Sequence, residues 1–159
     1  MNAFIGAIHA KTDDKGRVFI PATFRKILQS MEESCLVLRK DIHQDCLVLH
    51  PEKTWEDELN KLQEQLEDWS DEGKQHTFRL ISALVEPVEL DSNGRILIPK
   101  KYLQMAKISN AVCFVGMNRS IEIWNPDQLT KVMSSADDLK SHVRKYLSNS
   151  RRTNEKPVD

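Results

Sequence analysis

Asp13-Asp14-Lys15-Gly16-Arg17-Val18-Phe19-Ile20-Pro21 recurs as Asp91-Ser92-Asn93-Gly94-Arg95-Ile96-Leu97-Ile98-Pro99, an offset of 78 residues. Asp, Gly, Arg, Ile and Pro hold the same places, and the two remaining apolar positions differ only in size. A repeat at fixed spacing decides the architecture before any local assignment, because each copy has to be the same supersecondary unit. Within a copy the Asp/Gly cluster is a turn, where Gly16 or Gly94 supplies a positive φ at no steric cost. The β-branched and aromatic residues that follow form a strand. Pro21 or Pro99 ends that strand and opens a helix, where its missing N–H has no helical partner.

Outward from the first copy, residues 4–10 read as a strand weakened at Gly6, and residues 22–29 as a short helix with Phe24, Ile27 and Leu28 on one face. Strands at 35–39 and 46–49 flank a polar turn at 40–45. The second copy repeats the order. Residues 84–90 form a strand that Pro87 assigns to a sheet edge. Strand 96–98, a helix at 100–106, and strands 111–115 and 121–124 follow. Asn125-Pro126-Asp127 matches His50-Pro51-Glu52 at an offset of 75, so the first copy has a loop three residues longer. Each copy leads into helix. Trp55, Leu59, Leu62, Leu66 and Trp69 are spaced four, three, four and three, which predicts an amphipathic helix over 51–69 with Thr54 and Asp57 as a capping box. Further helices are expected at 74–84, 127–133 and 137–147, and a disordered tail at 148–159.

The chain has 159 residues, 40% hydrophobic and 30% charged, which fits a soluble globular protein. No apolar run approaches the roughly 20 residues of a membrane span. The N-terminal residues show no signal peptide, so a cytoplasmic protein is the expectation. Cys35, Cys46 and Cys113 form no C-x-x-C pair and all lie in apolar runs, as buried free thiols do. The net charge of −1 hides a strong pattern. Residues 1–50 sum to +1, residues 51–86 to −6 and residues 87–159 to +4. Acid is concentrated between the repeats, and local field steers an anionic partner more than net charge does.

The repeated turn carries the chemistry. Its Asp can accept hydrogen bonds from its own backbone, its Gly allows the reversal, and its Arg starts the outgoing strand beside a loop tip. As a surface ion pair alone, Asp with Arg contributes only about 0–1 kcal/mol. Between the copies Asp14 gives way to Ser92 and Lys15 to Asn93, while Asp, Gly and Arg stay. An Arg at a turn makes bidentate contacts with phosphate or a guanine edge. Lys15 and Asn93 add a point charge and an amide, both common in DNA contacts.

These two nonapeptides resemble the paired D-x-x-x-R motifs of the MraZ family of bacterial transcription factors. Cys46-Leu47-Val48-Leu49-His50-Pro51, Trp55, Phe114-Val115-Gly116 and Ile121-Glu122-Ile123-Trp124 are similar to that family's as well, so the resemblance runs from about Phe4 to Leu147. It implies an α+β fold: tandem AbrB-like βαβ repeats, paired within one chain, forming a pseudo-twofold small β-barrel with flanking helices. It implies repeats at 4–51 and 84–126, a helical connector at 52–83, and C-terminal helices at 127–147 before the tail. Subunits would assemble into rings, whose turns bind short direct repeats of double-stranded DNA upstream of the division and cell-wall gene cluster. The protein would thus regulate its own promoter at the nucleoid. By position the motif residues are Asp13, Arg17, Asp91 and Arg95, with Lys15 and Asn93 assisting. Asn93 and the long tail depart from the family pattern. Lys11, Arg25, Lys100 and Lys101 are candidate phosphate contacts.

Rival chemistries fare worse. Cys35, His43, Cys46 and His50 are spaced like no common zinc knuckle, and buried thiols with exposed histidines are the expectation. Asp13 and Asp91 are each followed by an Arg that keeps the carboxylate ionised, which argues against a shared-proton acid pair. No nucleophile elbow, P-loop or dinucleotide fingerprint is present. The expectation is a non-enzyme without metal, cofactor or small-molecule substrate. The alternative function is a ring-forming structural or antitoxin-like protein-binding module.

Overall fold

The computed structural model describes residues 2–135 and 139–147. Its elements follow in order: β1 (Ala7–Lys11), β2 (Arg17–Phe19), α1 (Ala22–Ser30), β3 (Cys35–Lys40), β4 (Leu47–Pro51), α2 (Glu52–Leu66), α3 (Glu72–Ala83), β5 (Val85–Glu89), β6 (Arg95–Leu97), α4 (Lys100–Met105), β7 (Ala111–Gly116), β8 (Ile121–Trp124), α5 (Pro126–Ser135) and α6 (Leu139–Tyr146). The chain divides into two compact units, the first ending at Pro126 and the second starting at Asp127. In the second, His142 and Tyr146 stack on α6 with ring centroids 6.1 Å apart. The expected tail at 148–159 lies outside the described residues. No helix among the described residues is long and apolar enough to cross a membrane.

The first unit holds a six-stranded antiparallel sheet in the order β1-β7-β8-β4-β3-β5, and a separate two-stranded ribbon, β2-β6. Each repeat keeps its own hairpin, β3 with β4 and β7 with β8, and gives its leading strand to the other. β1 pairs with β7, with Lys11 opposite Ala111. β5 pairs with β3, with Glu89 opposite Cys35. At the centre β4 meets β8, Val48 opposite Glu122. Exchanging the two halves leaves this scheme of pairs unchanged, which is what a duplicated sequence dictates.

The sheet is not closed into a barrel, contrary to the expectation. β1 and β5 are its two edges, and neither pairs with the other. The strands that would bridge them, β2 and β6, are three residues long and pair with no strand but each other among the described residues. Pro21 and Pro99 end both arms, and a proline has no N–H with which to extend a ladder. The edge position expected for the Pro87 strand is found in β5.

Both halves fill one core. Val18, Ile20, Phe24, Leu28, Leu36, Leu38, Leu47 and Leu49 meet Ile96, Ile98, Tyr102, Val112, Phe114, Ile121 and Ile123. Phe4 packs edge to face on Phe24 at 5.5 Å. On α2 the expected seam is only partly realised. Trp55 is buried, Leu59, Leu62 and Leu66 are half-buried, and Trp69 lies beyond the helix at 87% exposure. The capping box does not form either: the residue before α2 is Pro51, and no side chain caps the helix. Thr54 is buried instead.

Candidate nucleic-acid interface

The repeated turn is a closed hydrogen-bonded unit. Asp13 Oδ1 accepts from the amides of Lys15 at 3.0 Å and Arg17 at 2.9 Å, while Oδ2 accepts from Arg17 Nε at 2.6 Å. The Asp13 amide donates to the Arg17 carbonyl, and the Gly16 amide to the Asp13 carbonyl. The second copy reproduces every bond. Asp91 Oδ1 accepts from Asn93 at 2.9 Å and Arg95 at 2.8 Å, and Oδ2 from Arg95 Nε at 3.1 Å. Gly16 at φ +90° and Gly94 at φ +85° make the reversal.

One short carboxylate therefore fixes both the turn and the orientation of its Arg. The Arg17 amide, then the Arg17 guanidinium and the Lys15 amide, hold the Asp13 carboxyl below its ordinary range. The amides of Arg95 and Asn93 and the Arg95 guanidinium do the same for Asp91. With Nε held, the two Nη groups of each Arg keep no hydrogen bond or ion pair among the described residues. That is the donor fork that binds a guanine edge or a phosphate.

The exchange of strands ties the two turns together. Ile98 N donates to Gly16 O at 2.9 Å, and Ile20 N to Gly94 O at 3.0 Å. In the ribbon, Arg17 stands opposite Leu97, Val18 opposite Ile96, and Phe19 opposite Arg95. Alternation along a strand buries Val18 and Ile96 and turns Arg17, Phe19, Arg95 and Leu97 to the other face. Phe19 is 55% exposed, and the Arg95 guanidinium lies 5.7 Å from its ring centroid. Phe19 and Leu97 were not among the residues expected at the site. The signal was present: in Arg17-Val18-Phe19-Ile20 a period of two puts Phe19 with Arg17, not with the core.

Lys15 and Asn93 are exposed at the turn tips. Lys11 is exposed at the end of β1, and Lys100 at the start of α4. Lys101 pairs with Glu86 at 2.9 Å and lies over Tyr102, so its charge is largely answered within the chain. Arg25 packs against Gly94 of the second turn.

The cysteines and histidines do not form a cluster. Cys46 and Cys113 are buried and Cys35 half-buried. His50 is buried rather than exposed, and accepts from Arg39 Nε at 3.0 Å. Among the described residues the one trio with metal-ligating reach is Asp41, Cys46 and Glu122. Burial, with the carboxylates of Glu122 and Asp41, pushes the Cys46 thiol up to about 12, so it stays protonated at neutral pH.

A family model described as "MraZ protein, putative antitoxin-like" matches residues 3–76 and 85–147. The chain belongs to the MraZ family. It is similar to a transcriptional regulator MraZ of Phocaeicola vulgatus, 45% identical over 91% of this chain and 93% of that one. One from Bacteroides fragilis is 44% identical over 96% of each chain. One from Rhodospirillum rubrum is 38% identical over 81% of this chain and 83% of the relative. The MraZ match spans both turns, and these relatives are named as regulators of transcription rather than as enzymes.

Proposed function

We propose that this chain is a sequence-specific DNA-binding transcriptional regulator whose two D-x-x-G-R turns contact short direct repeats upstream of the division and cell-wall gene cluster. Residues 4–51 and 84–126 act as AbrB-like repeats joined by the connector at 52–83. Several copies, assembled as a ring in the cytoplasm at the nucleoid, present the turns as an array, and multivalent contact raises affinity without any strong single site.

The observation that carries the reading is the ribbon β2-β6. It carries two Asp-held arginines on one face, opposite the buried Val18 and Ile96, and the major groove of B-DNA admits a two-stranded ribbon. Arg17 and Arg95 are the base- or phosphate-reading groups. Asp13 and Asp91 orient them, and Lys15 and Asn93 assist. Arg17→Ala and Arg95→Ala each cost about 1–3 kcal/mol of binding, the worth of one bidentate contact, with folding and oligomer size unchanged. A mobility-shift titration on the protein's own upstream DNA checks this, and undiminished binding by both variants overturns it. Exposed Phe19 and Leu97 favour one second reading, a protein-binding face of the antitoxin kind. Salt separates the two, because contacts to several phosphates weaken steeply as salt rises.

A further inference from the structure

We propose that Arg25 is a DNA phosphate contact of the second turn, delivered across the molecule by the exchange of strands. The inference rests on the reading of the turns as DNA-contacting. Arg25 belongs to the first repeat, on α1, yet it lies against the second repeat's turn. A β-carbon at Gly94 would overlap Arg25 Nη1 and stand 2.7 Å from its Cδ. The equivalent place at the first turn is taken by Leu103 of α4, whose Cδ1 would be 3.3 Å from a β-carbon at Gly16. Leu103 follows Arg25 by the same 78 residues that separate the turns. At this place the two halves differ in charge.

The difference has a counterpart inside the turns. The first carries Lys15 beside Arg17, and the second carries Asn93 beside Arg95. Where the second turn lacks the lysine, Arg25 brings a cation to it from the other half. Asp14 offsets one cation at the first turn, and the second has Ser92 there. The second turn is therefore the more positive of the two. Arg25 is half-buried, and its side chain makes no ion pair or hydrogen bond among the described residues. A guanidinium in that setting, one residue from an Arg already aimed outward, is placed to neutralise a phosphate flanking the base step that Arg95 reads.

The test uses the full chain and its own upstream DNA, titrated over a range of salt. Arg25→Leu installs the residue the other half already tolerates, and Arg25→Gln keeps length without charge. Both are expected to bind about 3–10-fold more weakly near physiological salt. The slope of log affinity against log salt should become shallower by about 0.9 for each phosphate no longer neutralised. Arg25→Lys keeps the slope, and Asn93→Lys added to Arg25→Leu restores it. Thermal melting of each variant separates binding from folding. Unchanged affinity and slope for Arg25→Gln, alongside weakened binding by Arg95→Ala, overturns the role of Arg25 alone. The same holds if Arg25→Lys fails to keep the slope, for the arginine would then serve packing. If Arg95→Ala also binds like the parent, the reading of the turns falls with it.

Discussion

At the scale of single residues, the two turn glycines look interchangeable and are not. Both sit at positive φ, so any side chain is strained there by about 1 kcal/mol or more. A β-carbon at Gly16 would stand 2.5 Å from the carbonyl oxygen of Ile98, which is backbone and accepts no displacement. At Gly94 it meets the flexible end of Arg25. Gly16→Ala is therefore expected to destabilise by about 2–4 kcal/mol and Gly94→Ala by about 1–2 kcal/mol. Urea denaturation of the two variants gives the comparison, and equal losses would contradict it.

His50 sets a second prediction. Arg39 Nε can only donate, so His50 Nε2 accepts and the ring proton sits on Nδ1, which is buried without a partner. Burial, and then the Arg39 charge, push its pKa down to about 4. The unfolded chain, with an ordinary histidine near 6.5, binds more protons between those values. The stability that His50 contributes is thus present above pH 6.5 and is lost as pH falls towards 4, a change of about 3 kcal/mol. Denaturation midpoints at pH 7 and pH 4.5 should show most of that loss. His50→Gln, which keeps an acceptor for Arg39 but does not titrate, should flatten the profile. A variant with the parent's slope would assign the loss elsewhere.

Among elements, the ribbon β2-β6 shows where a sequence pattern speaks and where it needs reading twice. Its turns, strands and terminal prolines were legible because Gly, β-branched residues and Pro each have a local physical reason to be where they are. The exposure of Phe19 was obscured because apolar residues in a row look like core, although alternation already separated Phe19 from Val18 and Ile20. The α2 seam failed in the opposite direction: spacing extended it to Trp69, but the helix ends at Leu66 and leaves that indole in solvent. Burial of His50 was hidden too, since it depends on Trp55 of the next helix, whose ring lies 5.1 Å away. For the ribbon, Phe19→Ala should leave the melting temperature nearly unchanged. It should weaken DNA binding about 2–5-fold, the worth of a cation–π contact at an exposed site. A large loss of stability would show instead that the ring supports the fold.

Over the whole first unit, the exchange of leading strands is the feature that no local signal carries. Periodicity within residues 4–10 gives a strand and does not say which strand it joins. The partnering came into view only through the family resemblance, which also implied the closed barrel that the short, proline-ended arms of the ribbon do not form. Each half leaves β1 or β5 and one face of the core for the other to complete. A chain cut at the exposed turn between Trp69 and Ser70 should therefore yield two fragments that copurify one to one and melt together. Each alone should lack a cooperative transition. Fragments that separate and fold independently would refute the interdependence.

Joining two such halves in one polypeptide has a consequence of a different kind. Two identical chains exchanging strands would be bound to carry the same side chain at both turns. A single chain is released from that identity. Lys15 of the first half corresponds to Asn93 of the second, and Arg25 to Leu103, at the same offset of 78 residues. On the proposed reading of the turns as DNA-contacting, the two turns would present different side chains to the two directions of a duplex.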